Sequence, residues 1–309
     1  MLNSSESSDK PRRIRIPFLL DIIIVSEPEQ IKEIETSGDV DRLHAYDTES
    51  LPWWVKFYFR STKFHDEQRD LWFCPFESTS NPTYIPRRTY LEEKVATGYS
   101  QEDVKRIAQL LQNNATDEVL AYEMVQIVNQ RFFGKEIPLE VTKIANNTVQ
   151  KISEALCPWK YIRGRKSQQK IMEYSEANLS NDVHILDIGH NVGEVVQTTT
   201  GALKRLKNNL EKPVEEIFTS YPLTPQAPRI AIKPSTFDGL LSSPTVPGKT
   251  VFILQIGKAA TKSQDIFFTF STGSPERICV FKDFFLEFMK ELQRELRNGK
   301  SQVSVQSQS

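Results

Sequence analysis

Phe270-Ser-Thr-Gly-Ser-Pro-Glu-Arg-Ile-Cys279 stands directly ahead of the most regular apolar stripe in the chain: Phe281, Phe284, Phe285, Phe288, Met289, Leu292 and Leu296. That spacing predicts a helix from about Phe281 to Arg297. A cysteine just before a helix faces backbone N–H groups that have no partner within the helix, and the positive end of its dipole. Both favour thiolate over thiol. Arg277 adds positive charge, and Gly273 lets the backbone pass close to a flat ligand. Residue by residue, the stretch reads as a stabilised thiolate at Cys279. A buried structural cysteine ahead of a helix would share the same pattern.

Upstream of this stretch, Arg229–Leu254 is rich in β-formers, with Pro247-Gly248 as a turn. Ile185, Ile188, Val192, Val195, Val196, Leu203, Leu206 and Leu210 keep a helical period over an unusually long element. Three shorter helices are expected at Ser100–Gln112, Thr116–Phe133 and Leu139–Leu156, the first with Ser100 as its cap. Residues 45–90 are aromatic, and a short helix is expected around His65–Phe73 with loops elsewhere. Ile22–Val25 reads as a strand, and Ser26-Glu-Pro-Glu29 as the start of a helix reaching about Glu35. Residues 1–10 and 299–309 are polar and read as disordered tails, leaving 11–298 as a single domain.

Composition narrows the function classes. The 39 Lys and Arg nearly balance the 40 Asp and Glu, so nothing pulls the chain towards nucleic acid or an anionic membrane. The apolar run Ile16–Val25 is interrupted by Asp21 and is too short to span a bilayer, so no stable membrane anchor is expected. Three scattered cysteines (Cys74, Cys157 and Cys279) form neither a disulfide framework nor a zinc site. A reducing cytoplasmic location fits them.

The segments together resemble those of the cytochrome P-450 superfamily. Its heme-binding loop has the form Phe-x-x-Gly-x-Arg-x-Cys, and here Phe270-x-x-Gly273 and Arg277-x-Cys279 reproduce it with two extra residues between the halves. Glu216-Ile-Phe-Thr-Ser-Tyr-Pro222 is similar to the family's Glu-x-x-Arg-x-x-Pro helix, and Pro228-Arg229-Ile-Ala231 to the strand entry after it. Phe237-Asp-Gly239 and Val246–Val251 look like the following hairpin, Ile24–Lys32 like the first strand and helix, and His65-x-x-x-Arg69 like a propionate-contacting pair. The pieces occur in family order. The resemblance implies a mainly α fold with small β-sheets, a compact P-450-like domain with a long central helix and a proximal Cys loop. It implies heme b as cofactor, with Cys279 as iron ligand. Phe270, Gly273 and Arg277 would line the loop, and His65, Arg69, Arg229 and Arg277 would be the candidates to face the anionic propionates.

Departures from the family pattern shape the expected chemistry. Thr219 replaces the arginine of Glu-x-x-Arg, removing half of an ion pair that steadies the heme-loop side in relatives. The segment Ala259–Thr269 is short, as is the region between Leu156 and Asp182 that would form a substrate lid. In the long helix, His190-Asn-Val-Gly-Glu194 lacks the adjacent acid–alcohol pair of monooxygenases. Asn191 and Gly193 are instead similar to the helix of the hydroperoxide-rearranging branch, and Cys279-Val-Phe-Lys-Asp283 to the plant enzymes of that branch. The resemblance therefore implies a heme-thiolate enzyme that cleaves or rearranges a lipophilic, fatty-acid type hydroperoxide without a reductase. Asn191, Gly193 and Glu194 would be its catalytic-helix residues, and an upstream dioxygenase or lipoxygenase its supplier. The alternatives are a compact monooxygenase or peroxygenase of a biosynthetic pathway, the former with a redox partner, and a non-catalytic descendant of the fold.

Overall fold

A computed structural model describes residues 10–16, 20–42, 64–66, 71–73, 84–96, 98–134, 138–141, 198–223, 226–237, 245–266, 268 and 278–306, with single positions at 143, 166, 169, 170, 173, 174 and 177. The chain divides into two compact units. The first comprises residues 1–47, 78–80 and 218–279, and the second residues 48–77, 81–217 and 280–309.

The first unit is built on five strands: β1 (Arg12–Ile16), β2 (Leu20–Val25), β3 (Val40–Arg42), β6 (Ala227–Ala231) and β9 (Val251–Leu254), in the order β1-β2-β9-β6-β3. Only β2 and β9 run parallel. A parallel pair cannot be joined by a hairpin, and here most of the chain intervenes. Within the apolar run, Leu20–Val25 form β2, which pairs antiparallel with the arginine-rich β1 that ends at Ile16. Arg13 donates to both Asp21 oxygens, at 2.8 and 3.0 Å from Nε. Thr250 Oγ1 lies 3.5 Å from the same carboxylate. The Arg13 hydrogen bond holds the Asp21 carboxyl below its ordinary value, against the opposing effect of burial.

Register decides which side chains enter the core. Ile23 pairs with Phe252 and Phe252 with Arg229, so these three form one row across the sheet. Helix α1 (Pro28–Thr36) presents Ile31 and Ile34 to the same core. Its N-cap is Glu27 rather than Ser26, with Pro28 in the first turn. Helix α7 (Ile256–Ser263) adds Ile256, Ala259 and Ala260, and Phe237 meets Phe252 edge to face at 5.5 Å.

Two short ribbons complete the β-structure: β4 (Phe64–Asp66) with β5 (Leu71–Phe73), and β7 (Ser235–Thr236) with β8 (Thr245–Val246). The β4–β5 hairpin corrects the helix expected at His65–Phe73. The β-forming triplet Leu71-Trp72-Phe73 pairs antiparallel with Phe64-His65-Asp66, and local pairing overrides a weak helical period.

The second unit is helical. Its described elements are α2 (Tyr84–Val95), α3 (Gln101–Gln112), α4 (Asp117–Phe133), α5 (198–208) and α8 (Lys282–Gln306). Short helix α6 (Val214–Ser220) leads from this unit into the first. Ser100 and Asp103 form a reciprocal capping box on α3, and Thr116 Oγ1 accepts from Val119 N–H at the start of α4. Gly134 ends α4 at φ 63°, where a side chain would be strained. Val104, Ile107 and Leu111 of α3, Leu120, Met124 and Ile127 of α4, Leu203 and Leu206 of α5, and Phe288, Met289 and Leu292 of α8 are buried. Tyr99 stacks edge-on against Phe284 and Phe288 at 5.7 and 5.2 Å.

Gln293 of α8 donates from Nε2 to the carbonyls of Leu210 and Lys212 at 3.0 and 2.7 Å. Arg297 Nε reaches Leu210 O at 2.6 Å. Helix α8 extends to Gln306, past the point where the apolar stripe and the expected helix end. Most of the expected Leu139–Leu156 helix and the first part of the long helix lie outside the described residues, although residues 139–141 are helical.

Candidate thiolate site

Cys279 lies in the first unit, at the end of the segment that follows α7, and its side chain is exposed. Val280 and Phe281 turn the chain into α8, and Phe285 N–H donates to Phe281 O at 2.8 Å. The N–H groups of Lys282, Asp283 and Phe284 are thus the first of the helix and have no earlier helical carbonyl to meet. An accessible sulfur at such a point suits a soft axial donor to iron. A cysteine packed away in the core would not.

The other residues expected at the site are distributed as follows. Phe270, Gly273, Arg277, Asn191, Gly193, Glu194 and Arg69 lie outside the described residues. His65 is the central residue of β4, opposite Trp72. Arg229 is buried, and its guanidinium meets Glu35 Oε1 of α1 at 2.8 Å, with side-chain exposures of 8% and 0%. Nη1 also donates to Pro228 O at 2.9 Å. A propionate at Arg229 would therefore have to share a charge already held by a carboxylate.

The segment that carries Cys279 starts from a well-anchored base. Thr219, near the end of α6, is 2% exposed. Its hydroxyl donates to Gln264 Oε1 at 3.1 Å. Gln264 Nε2 donates to Thr261 O at 2.6 Å, and the Thr261 hydroxyl is shared between Thr219 O and Gly257 O, each at 3.1 Å. These three residues close a neutral ring of hydrogen bonds. Gln264 sits at φ 54°, the left-handed region, where it terminates α7. Asp265 then lies 3.7 Å from Lys32 of α1. Phe268 is fully buried, and the Lys32 ammonium stands 5.6 Å from its ring centre. Glu216, the acidic partner expected for the residue at 219, instead meets Lys212 at 2.9 Å on the helix surface.

Sequence reading missed both α7 and the ring. The available signal was Gln264-Asp265 after Ala259-Ala260, but a helix this short shows too few apolar positions to display a period. An open cleft of about 510 Å³ lies along α7, lined by Pro222, Gln255, Lys258 and Thr261 among others, and none of the expected site residues borders it.

No family model matches the chain, and no curated protein matches it. Solved structures do. A 6-coordinated cytochrome P450 from Thermus thermophilus superposes with a TM-score of 0.63 at 13% identity, covering 90% of this chain and 84% of that one. P450 RauA, complexed with a biosynthetic intermediate of aurachin RE, gives 0.57 at 11% identity over 89% and 83%. Cytochrome P450EX alpha with myristic acid gives 0.55 at 11% identity over 92% and 82%. The mainly helical architecture with small mixed sheets, and the order of its elements, are thus those of the cytochrome P450 fold.

Proposed function

We propose that the chain is a heme-thiolate enzyme with Cys279 as the axial ligand of heme b, acting on the O–O bond of a lipophilic, fatty-acid type hydroperoxide. One observation carries the reading: an exposed cysteine at the turn into a long helix, in a chain with the fold of cytochrome P450s. When bound, heme supplies an iron whose axial thiolate donates electron density that favours O–O cleavage. The chain holds that sulfur ahead of α8, where helix N–H groups stabilise its negative charge. Asn191 would orient the substrate by hydrogen bonding, with Gly193 leaving room beside it and Glu194 close by on the same helix. His65, Arg69 and Arg277 are the cations proposed to meet the propionates, together with Arg229 in so far as Glu35 leaves it available. Phe270 and Gly273 would line the loop beside the ring. An upstream dioxygenase or lipoxygenase would supply the substrate.

A second reading is peroxygenase or monooxygenase chemistry on a fatty chain, favoured by the likeness to a P450 solved with myristic acid. Among the described residues, no helix is long and apolar enough to cross a membrane. We place the protein in the cytoplasm.

Two measurements test the proposal. The reduced protein with carbon monoxide should show the strongly red-shifted Soret band of thiolate ligation, and Cys279→Ala should abolish it. Retention of the band in that variant would remove Cys279 from the iron. A fatty-acid hydroperoxide supplied anaerobically without reductant should be consumed. If only hydrogen peroxide or an electron donor supports turnover, the second reading holds.

A further inference from the structure

We infer that the sheet face turned away from α1 and α7 is a binding site for a long-chain carboxylate, with Arg12 as the anchor of its anionic head. The inference rests on the fatty-acid substrate proposed above for the class of its ligand. It goes beyond that reading in naming the residues that hold the two ends of the molecule.

Register sorts the side chains of the sheet onto two faces. Ile23, Val25, Phe252 and Leu254 belong to the core shared with α1 and α7. The residues between them in sequence face the other way. There Arg12 pairs with Ile24, Ile24 with Ile253 and Ile253 with Pro228, and Ile14 stands beside them opposite Ile22. Ile14 is 41% exposed, and Ile22, Ile24, Ile253 and Pro228 are half-buried. A sheet face ordinarily packs on a core or carries polar side chains to water. This face does neither, since four isoleucines keep apolar surface in contact with solvent, the pattern of a ligand-binding patch.

Charge decides the occupant. Arg12 is exposed at the edge of this face, and no carboxylate holds it among the described residues. Asp21, the carboxylate of the same hairpin, is taken by Arg13 and approached by Arg15 on the opposite face. Neighbouring strands lie about 4.8 Å apart, so the row from Arg12 across β2 and β9 to β6 spans about 14 Å, the reach of an acyl chain of about ten to twelve carbons. An anionic amphiphile satisfies both ends, with its chain on the isoleucines and its carboxylate on the guanidinium. A second copy of the chain seated here would bring its own Arg12 and leave both guanidiniums without an anion. Residues 1–9 offer only Met1 and Leu2 as apolar side chains, too few to cover the row.

Calorimetric titration of the full chain with decanoic acid, and with 1-decanol as its uncharged counterpart, tests the site. The wild type should bind the acid about tenfold more tightly than the alcohol, the scale of one charge-assisted hydrogen bond. Arg12→Ala should lose that preference without weakening the alcohol, and Arg12→Lys should keep most of it. Arg15→Ala, on the opposite face, should match the wild type. Ile24→Thr keeps the β-branched shape but makes the row polar, and should weaken acid and alcohol alike by about fivefold. Equal affinity of the wild type for acid and alcohol, or a preference that survives Arg12→Ala, overturns the anchor. Unchanged affinities in Ile24→Thr overturn the apolar row. Binding to vesicles of anionic lipid without binding of the free acid gives the face to a membrane and overturns the inference. The carbon monoxide spectrum of the same proteins judges the heme reading separately. A wild type with the thiolate band and no preference for the acid overturns the anchor alone, and one with the preference and no band overturns the heme reading alone.

Discussion

Replacing Arg229 by Met should destabilise the protein by about 3–5 kcal/mol, because it strands the Glu35 carboxylate in the core without its counter-charge. The magnitude follows from geometry. The ion pair is 2.8 Å long, and the Glu35 side chain has 0% exposure, so water cannot replace the lost guanidinium. Against a typical total stability of about 5–15 kcal/mol, a loss of that size is large. In urea, with a slope of about 3 kcal/mol per molar, the midpoint would fall by roughly 1–2 M. Replacing both residues, Arg229→Met with Glu35→Leu, removes both charges together and should return the midpoint to within about 1 kcal/mol of wild type. The double-mutant cycle would then show coupling of at least about 2 kcal/mol, larger by whatever Glu35→Leu alone costs. Equilibrium unfolding of the four proteins, followed by far-ultraviolet circular dichroism, decides the matter. A single variant within about 1 kcal/mol of wild type, or a double variant as weak as the single one, refutes the reasoning.

Asn129 of α4 is 0% exposed, and neither of its amide atoms has a hydrogen-bond partner among the described residues. Asn129→Leu, of similar volume, should raise stability by about 1–3 kcal/mol, and a lower melting temperature would show that the amide has a use. Ser100→Ala removes one half of the capping box on α3 and should cost about 1 kcal/mol, with faster amide exchange confined to the first turn. Asp21 has a depressed folded-state pKa, so the unfolded chain takes up its proton first as pH falls. Its contribution is complete above the unfolded value near pH 4 and disappears as pH drops through the folded value. Urea midpoints of Asp21→Asn should therefore approach those of the wild type towards pH 2, and a constant gap between the two would refute the linkage.

Local chemistry made parts of this fold readable from sequence. Ser100 and Thr116 announce α3 and α4 because a cap is a contact over three residues, and the stripe from Phe281 to Leu296 announces α8. Elements decided by distant partners were not readable in this way. β4 and β5 form because each finds the other, and β1 becomes a strand because β2 runs beside it. Arg229 could be read as a charge with a task. Its placement on the buried face depends on register with Phe252, and its partner lies on a helix far earlier in the chain. Thr219 stood out as a missing arginine, but the hydrogen-bond ring that fills its place required α7, which is too short to show a period. Cys279 was legible because everything that marks it lies within a few residues of it.

The carbonyls of Leu210 and Lys212, in the turn that follows α5, are met by Gln293 and Arg297, two side chains of α8. This ties the two helices into one melting unit. The turn after α5 cannot open while the middle of α8 holds, and the middle of α8 cannot open without exposing those carbonyls. Amides in the two places, far apart in sequence, should therefore share a single opening free energy, and the rhythm of one helix can be read from the exchange of the other.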